Sequence, residues 1–242
     1  MTFSPLKPDR LTLGDCADQT VALCGKIFFA HKSGALYWPS ERALIVADLH
    51  FEKGSSYAAR GQMLPPYDTR ETLRKLAQAI DHYQADTIIA LGDSVHDAAA
   101  CDRISAEDLE ALRILQEDRD WIWLAGNHDP KIDRRLGGHV MAQLTVEGVT
   151  FRHEPASGAV THEIAAHMHP AARLVMNGAS LRRPCFVGNG LRLVMPAFGA
   201  FTGGLNILDL AFEPLFGADG FRVWMLGQEG LYPIAPRLLR GD

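Results

Sequence analysis

The stretch ALIVADLH, residues 43–50, decides the fold class, because a short apolar run is followed at once by Asp-Leu-His. Two later stretches repeat this design: TIIALGD at 87–93 and WIWLAGNHD at 121–129. Short apolar runs rich in β-branched and aromatic residues are typical of buried strands. We therefore predict three parallel strands, each with polar residues at its carboxyl end.

Helices are predicted between these strands. Asp68 with Glu71 resembles a capping box, and apolar residues then recur at helical spacing as far as Tyr83. A second segment opens similarly at Ser105 with Asp108. Alternation of strand and helix is the pattern of a parallel α/β sheet.

Short strands are predicted on both sides of this unit. They cover 21–30, 35–38, 143–146, 149–152, 164–167, 185–187 and 191–195, with strands or a short helix at 205–210 and 221–226. The later strands predict a second sheet. We expect an α/β fold, a sandwich of two mixed sheets flanked by helices, forming a single domain over residues 1–242.

Composition excludes several classes of protein. The 242 residues are 47% hydrophobic and 22% charged, which is typical of a globular chain. Apolar runs stay far below the roughly 18 residues of a membrane span, and the first dozen residues lack a signal-peptide core, so we expect a cytoplasmic protein without a membrane segment. Four cysteines without a CxxC pair predict reduced, mostly packed thiols at 16, 24, 101 and 185.

Charge is distributed unevenly along the chain. The net charge of -5 excludes a molecule that is basic all over. Residues 66–120 carry 13 acids and 6 bases, whereas residues 131–192 carry 8 bases and 4 acids. A local basic surface in the second half of the chain is therefore compatible with the net charge.

The polar residues at the strand ends are of metal-binding types. Asp or His in a loop is weak evidence alone, but several successive strands deliver such groups: Asp48, His50, Asp93, Asn127, His153, His167 and His169. Oxygen and imidazole ligands without thiolates suit manganese, iron, zinc or cobalt. Seven ligands exceed one coordination shell, so we predict two divalent ions, with Asp93 of the middle strand as their bridge.

These motifs resemble a known family. DLH, GDSVHD, GNHD, a later His and HMH are similar in order to the calcineurin-like metallophosphoesterases over residues 43–170. The stretches DLHFEKGSS, HEP, HMHP, RRPCF and PAFGAFTGG resemble one bacterial branch, the ligase-associated DNA damage response endonucleases of the PdeM type. One departure is Ala166, where the family usually has Gly before His-x-His.

The resemblance implies a role for each motif residue. It assigns Asp48, His50, Asp93 and His169 to one ion, and Asp93, Asn127, His153 and His167 to the other. Two such ions activate a bridging hydroxide for in-line attack on phosphorus. His128 is the first candidate to protonate the leaving group and His96 the second. Asp129 or Asp97 could orient these rings or simply cap their loops.

Basic residues near the motifs are candidates for binding flanking phosphates. We predict this role for the set of Arg134, Arg135, Arg182 and Arg183, with Lys131, Arg152, Lys53 and Arg60 as similar candidates. For any one of them taken alone, a solvated surface position is the favoured interpretation. Glycines 199, 203 and 204 indicate either a tight loop near the site or a plain turn. The residues His31, His82, His139 and His162 are interpreted as structural or surface residues.

The resulting hypothesis is a dimetal phosphodiesterase. The resemblance alone implies a DNA endonuclease in repair, with DNA as substrate and a DNA-repair ligase or helicase as partner. One alternative is a hydrolase of a small phosphodiester, pyrophosphate or phosphomonoester, because a dimetal core does not depend on the rest of the substrate. Another is a non-catalytic scaffold of the same fold, in which ligands would be missing.

Overall fold

The computed structural model describes residues 18–242 except 63, 66, 159, 177 and 217–219. The first seven strands are β1 (Gln19–Leu23), β2 (Lys26–Ala30), β3 (Leu36–Trp38), β4 (Ala43–Val46), β5 (Thr87–Ala90), β6 (Asp120–Leu124) and β7 (His139–Met141). The remaining strands are β8 (Leu144–Val146), β9 (Val149–Phe151), β10 (Glu163–Ala165), β11 (Pro170–Met176), β12 (Ala179–Gly188), β13 (Arg192–Val194), β14 (Leu205–Asn206), β15 (Arg222–Leu226) and β16 (Leu231–Ile234). The helices are α1 (Lys53–Ala59), α2 (Asp68–Tyr83), α3 (Ala106–Gln116) and α4 (Glu213–Phe216).

The strands form two mixed sheets. The first has the order β1-β2-β3-β4-β5-β6-β7, antiparallel as far as β4 and parallel from β4 to β7. The second has the order β14-β11-β12-β13-β10-β9-β8, with β15 and β16 added beside β12. The predicted α/β architecture of two mixed sheets is confirmed.

Side-chain alternation along β4 shows how the layers pack. Leu44 points toward the helices and contacts the cluster that contains Leu76 of α2, whereas Ile45 points to the other face and joins Phe151 of the second sheet. Successive strand residues face opposite sides, so a strand buried on both faces must be apolar throughout. The core therefore lies in two layers, one between helices and sheet and one between the sheets.

A third apolar cluster covers the far face of the second sheet. Phe212 and Phe216 pack there against Val187 and Met225. The cover is a four-residue α4 and the short 3₁₀ turn Leu210–Phe212. We predicted helices outside both sheets. Among the described residues, the helical cover of the second sheet consists of short elements such as these.

The predicted strand over residues 21–30 is wrong as a single element. It is a hairpin of β1 and β2 with a turn at Cys24 and Gly25, whose φ angles are 56° and 70°. Two consecutive positive φ values are what a tight two-residue hairpin turn requires. The apolar composition on both sides of the turn concealed it.

Several further elements differ from prediction. The strand predicted at 185–187 is the end of the longer β12, which pairs with an unpredicted β11. Only Leu205–Asn206 of 205–210 is a strand, and α1 was not predicted. The α2 bounds match, but Asp68 is not its cap, since the Asp68 carboxylate accepts a hydrogen bond from the Gly54 N–H.

Two predictions concern cysteines and membranes. In the described part of the chain the thiols of Cys101 and Cys185 are buried, that of Cys24 is half-buried, and all three are free; Cys16 and the first dozen residues lie outside the described residues. Helices within the described ranges are all too short or too polar to cross a membrane. A single domain over 1–242 stays a prediction.

Candidate active site

The predicted site residues lie where the carboxyl ends of strands from both sheets meet. Segments 47–51 and 91–94, which follow β4 and β5, run side by side, with the His50 N–H donating to the Asp93 carbonyl at 2.9 Å. The loop after β6 carries Asn127. His153 follows β9, and His167 follows β10, so the second sheet supplies ligand-type side chains from the opposite side.

Asp48, His50 and His169 form the first cluster. The His169 Nε2 atom lies 3.3 Å from Asp48 Oδ1 and 3.4 Å from His50 Nε2. The Asp48 side chain is fully buried and that of His50 is nearly so. One carboxylate and two imidazoles therefore converge on a single point.

Four side chains form a second cluster around His153. Its Nε2 atom lies 2.9 Å from Asn127 Oδ1, 3.4 Å from Asp93 Oδ2 and 3.2 Å from His167 Nδ1. The other ring nitrogen, Nδ1, lies 2.8 Å from the Leu91 carbonyl and donates to it. In the neutral ring, that bond keeps the proton on Nδ1 and leaves the Nε2 lone pair for a ligand, which is how second-shell groups set the tautomer of metal-binding histidines.

These donors fit divalent cations. Asp48 Oδ1, which faces the first cluster, is buried without a hydrogen-bond partner among the described residues. Buried polar atoms are normally satisfied, so such atoms point to a missing partner. Carboxylate, amide and imidazole groups without thiolates match ions of the manganese, iron, zinc and cobalt type.

The backbone of this region is held in a left-handed conformation. Positive φ values between 44° and 67° occur at five ligand-type residues: Asp48, His50, Asp93, His167 and His169. This conformation is uncommon for residues other than glycine and clusters at functional sites. In both DLH and HMH it recurs at alternate positions. It directs Asp48 and His50 into the first cluster, and it directs His169 into the first cluster and His167 into the second.

Burial and neighbouring charges shift the pKa values of three residues in the clusters in different directions. Burial opposes ionisation of Asp93, but the His153 ring and the His128 N–H lower its pKa below the ordinary range. Burial also opposes the charged form of His153, yet Asp93 and Asp48 raise its pKa. Burial and the neighbouring His169 lower the pKa of His50. The Asp93 carboxylate therefore stays ionised and attracts cations.

His128 and His96 lie at the edge of the first cluster. The ring centroids of His128 and His96 are 5.2 Å and 5.5 Å from that of His50, and their own rings stack at 5.3 Å. His128 is exposed, and its Nδ1 atom lies 2.8 Å from the His96 carbonyl. The ring is thus fixed at Nδ1, while Nε2 stays available to a substrate.

Comparisons with known proteins agree with this geometry. Residues 41–184, more than half of the chain, match the family model described as calcineurin-like phosphoesterase. The chain belongs to the calcineurin-like phosphoesterase family. It is a metal-dependent phosphoesterase, as predicted from the residues that carry the resemblance.

Solved structures similar to this phosphoesterase include a nuclease. Pseudomonas putida nuclease MPE has 30% sequence identity and a TM-score of 0.71, and the match covers 90% of this chain and 100% of that one. The E. coli phosphoesterase Yfce has 13% identity and a TM-score of 0.40, covering 80% of this chain and 98% of that one. No curated protein gave a significant match.

Asp129 of the phosphoesterase does not orient a ring, so the cap alternative is the one observed. Its buried carboxylate accepts hydrogen bonds from the N–H groups of Asp93, Ser94, Val95 and Gly126. It clamps the loop after β5 to the loop after β6. Asp97 forms a bidentate ion pair with Arg103 at 2.8 and 2.9 Å, and the orientation of His128 comes from the backbone carbonyl of His96, which residue patterns could not reveal.

The glycine-rich loop 196–204 packs against the ligand segments. A Cβ on Gly199 would lie 2.3 Å from the Leu49 carbonyl oxygen, and one on Gly204 would lie 2.6 Å from that of His169. Glycine is therefore required by close backbone approach to the ligand segments. Lys75 of α2 holds this loop by donating to the Phe198 carbonyl at 2.9 Å.

The predicted arginines are spread over several surroundings. Arg135 pairs with Asp133 and Asp102. Arg182 pairs with Asp242 and donates to the carbonyl of Gly204, next to the site loop. Arg183 follows Arg182 on β12, so the two side chains point to opposite faces. Arg134 is exposed, and phosphate binding by the four stays a prediction.

Lys53 and Arg60, at the two ends of α1, lie closer to the imidazoles. Burial lowers the pKa of His96, and the positive charges of Lys53 and Arg60 lower it further. Lys53 also contributes to the lowered pKa of His50, after burial and His169. The unpredicted α1 therefore brings positive charge to the site. An open cleft of about 450 Å³ continues from His167 and His169 toward Leu205.

Proposed function

We propose that this phosphoesterase is a dimetal phosphodiesterase that cleaves DNA, and that it serves as an endonuclease in DNA repair. The observation that supports it most is the convergence of Asn127, Asp93 and His167 on His153 Nε2, next to the first cluster. The nuclease part rests on the similarity to Pseudomonas putida nuclease MPE over 90% of the chain.

Two groups of side chains would hold the ions. Asp48, His50 and His169 form one group, Asn127, His153 and His167 the other, and Asp93 lies between them in the proposed bridging role. Manganese is the proposed metal, with iron, zinc or cobalt as alternatives. Bound divalent ions would supply Lewis acidity toward phosphate oxygens and a water of lowered pKa.

The proton for the leaving group would come from His128. With Nδ1 donating to the His96 carbonyl, the protonated ring carries its second N–H on Nε2, on the exposed side. Imidazole is the side chain most suited to donate a proton to a departing alkoxide at neutral pH. His96, stacked on His128, is the second candidate.

Phosphates flanking the scissile bond would contact cationic side chains near the imidazoles. Lys53 is half-buried and Arg60 is exposed, and both influence His96. The buried carboxylates of the two clusters would face bound cations and repel phosphate. Lys53 and Arg60 would therefore supply the positive charge that attracts a polyanion such as DNA. Arg182 and Arg134 could extend this row of positive charge, which we call the DNA track.

A specific observation favours the small-substrate alternative. Arg135 is neutralised by two aspartates and Arg182 by another, and the net charge is -5. Long-range attraction of DNA would then be weak. A small phosphodiester, pyrophosphate or monoester would not need it. The non-catalytic scaffold is disfavoured, since every expected ligand is present.

One comparison of substrates tests the proposal. Metal-free protein would be loaded with manganese, magnesium, zinc or iron and given bis-p-nitrophenyl phosphate, the corresponding monoester, linear DNA and covalently closed circular DNA. We expect diesterase activity and nicking of the closed circle, which an exonuclease cannot attack. Turnover of small diesters without DNA cleavage under any metal would favour the alternative, and turnover of neither would contradict the function.

Two finer proposals follow from the DNA substrate. A DNA-repair ligase or helicase is the proposed partner, supported by the family resemblance alone. Access to chromosomal DNA keeps the cytoplasm as the proposed location.

A further inference from the structure

A second group of metal-ligating side chains lies apart from the phosphoesterase centre. Asp18 precedes β1, His31 follows β2, and His82 lies in the last turn of α2. One ligand atom from each residue lies within 4.8 Å of the other two. None of these residues belongs to the site described above, and sequence analysis interpreted both histidines as structural or surface residues.

Neighbouring groups hold these side chains in place. Tyr83 Oη donates to Asp18 Oδ2 at 2.9 Å. The His31 Nδ1 atom lies 2.8 Å from Ser33 Oγ and accepts the Ser33 N–H at 3.2 Å. The rings of His31 and His82 stack with centroids 5.4 Å apart and planes 28° from parallel. The Tyr83 bond to the outer oxygen of Asp18 is the kind of contact that orients a metal-binding carboxylate.

The electrostatic surroundings favour a cation at this point. The C-terminus of the 16-residue α2 carries a partial negative charge, and Asp18 adds a carboxylate. Two imidazoles and one carboxylate are ligands of zinc sites that keep a fourth position for water. Tetrahedral zinc places its ligand atoms about 3.4 Å apart, which modest side-chain rotations from the present spacing would reach.

We infer that Asp18, His31 and His82 form a peripheral zinc-type site that fastens the β1–β2 hairpin to the end of α2. The three ligands come from segments up to 64 positions apart in sequence. An ion held only by the folded chain stabilises it by mass action. An ion here would stabilise the fold, with water as its fourth ligand, and would take no part in phosphoester hydrolysis.

Zinc content of matched variants tests this inference. Wild type, His82→Ala and the control His139→Ala would be stripped with chelator and dialysed against micromolar free zinc. His139 is an exposed histidine on β7, outside both sites. We expect His82→Ala to bind one zinc fewer per chain than the other two proteins. Thermal unfolding should show a smaller zinc-induced rise in Tm for His82→Ala alone.

A second set of variants, made in Asp93→Ala chains, distinguishes zinc bound at this site from zinc bound at the active centre. In Asp93→Ala chains, which we expect to lose the central ions, adding His82→Ala should remove the zinc that remains. Circular dichroism checks folding, and His82→Gln replaces His82→Ala if the latter is disturbed. Equal zinc content and equal Tm response in the His82 and His139 variants would overturn the inference, whatever the activity of the centre. Diesterase activity with manganese should be the same in His82→Ala and wild type.

Discussion

Replacing Asp129 with alanine should destabilise the chain and loosen the active centre together. The Asp129 carboxylate is 2% exposed and accepts hydrogen bonds from four backbone N–H groups, at 2.6 to 3.3 Å. Two of the donors, Asp93 and Gly126, lie on the loops that carry the candidate ligands of two neighbouring strands. Alanine leaves all four donors without their acceptor.

The expected loss in the free energy of unfolding of Asp129→Ala is the difference between opposing contributions. A buried donor left unsatisfied costs about 1–3 kcal/mol, so mid-range values for four donors give about 8 kcal/mol. Burial is the main reason that the pKa of Asp129 is raised to about 6, and removing the buried charge returns about 3 kcal/mol at neutral pH. Water entering the vacated space recovers part of the rest. We expect Asp129→Ala to lower the free energy of unfolding by about 4 kcal/mol.

Urea unfolding of metal-free protein measures this loss without a contribution from bound ions. Asp209→Ala is the matched control, because the Asp209 carboxylate accepts one exposed bond, from the Ala211 N–H at 2.9 Å. The control should lose about 1 kcal/mol or less. Metal affinity of Asp129→Ala should fall by about 10–100-fold. A stability loss no larger than that of the control would refute the clamp. Unchanged stability with slowed turnover would instead restore a role for Asp129 in orienting His128.

Four other substitutions give further tests. Asp93→Ala should lose activity and most bound metal by elemental analysis, and two retained ions would exclude a bridging role. His128→Ala should keep its metal but slow cleavage of poor leaving groups by about 100-fold, and nitrophenyl esters less; equal losses would indicate that it does not donate the proton. Lys53→Ala should flatten the dependence of log DNA affinity on log salt by about one unit, whereas Arg135→Ala, already ion-paired, should not; the reverse result would relocate the DNA track. Burial lowers the pKa of Lys75 to about 8. Above that pH the unfolded chain binds more protons than the folded chain, so the free energy of unfolding should rise by about 2 kcal/mol between about pH 8 and 10. Urea unfolding of Lys75→Met over the same pH range should lack that rise.

The parts of the fold that local patterns determine were predictable. β4, β5 and β6 are buried on both faces, so their runs are apolar throughout and end sharply at polar residues. The turn at Cys24 and Gly25 was missed because the flanking strands are apolar as well. The β11–β12 hairpin was missed although Asn-Gly at 177–178 is a strong hairpin dipeptide, because exposed residues on β12 weaken the apolar signal.

Residue types at the strand ends predicted which side chains come together, but not how each is held. The tautomer of His153 depends on the Leu91 carbonyl, and the orientation of His128 depends on the His96 carbonyl. Backbone carbonyls carry no residue-type signal, so such contacts are visible only in the folded chain. The same holds for α1, whose Lys53 becomes relevant because the chain turns back toward His96.

The strained backbone explains why the centre needs so many supporting hydrogen bonds. Left-handed φ values at five ligand-type residues cost of order 1 kcal/mol or more each, and nothing local repays that cost. The His50 N–H bond to the Asp93 carbonyl and the Asp129 clamp hold these conformations from outside the clusters. Ions bound only by the folded chain would offset the remaining cost. Stability of the metal-free fold is therefore lowered by the same geometry that positions the ligands, and the loops around Asp93 are where metal binding and folding should be most strongly coupled.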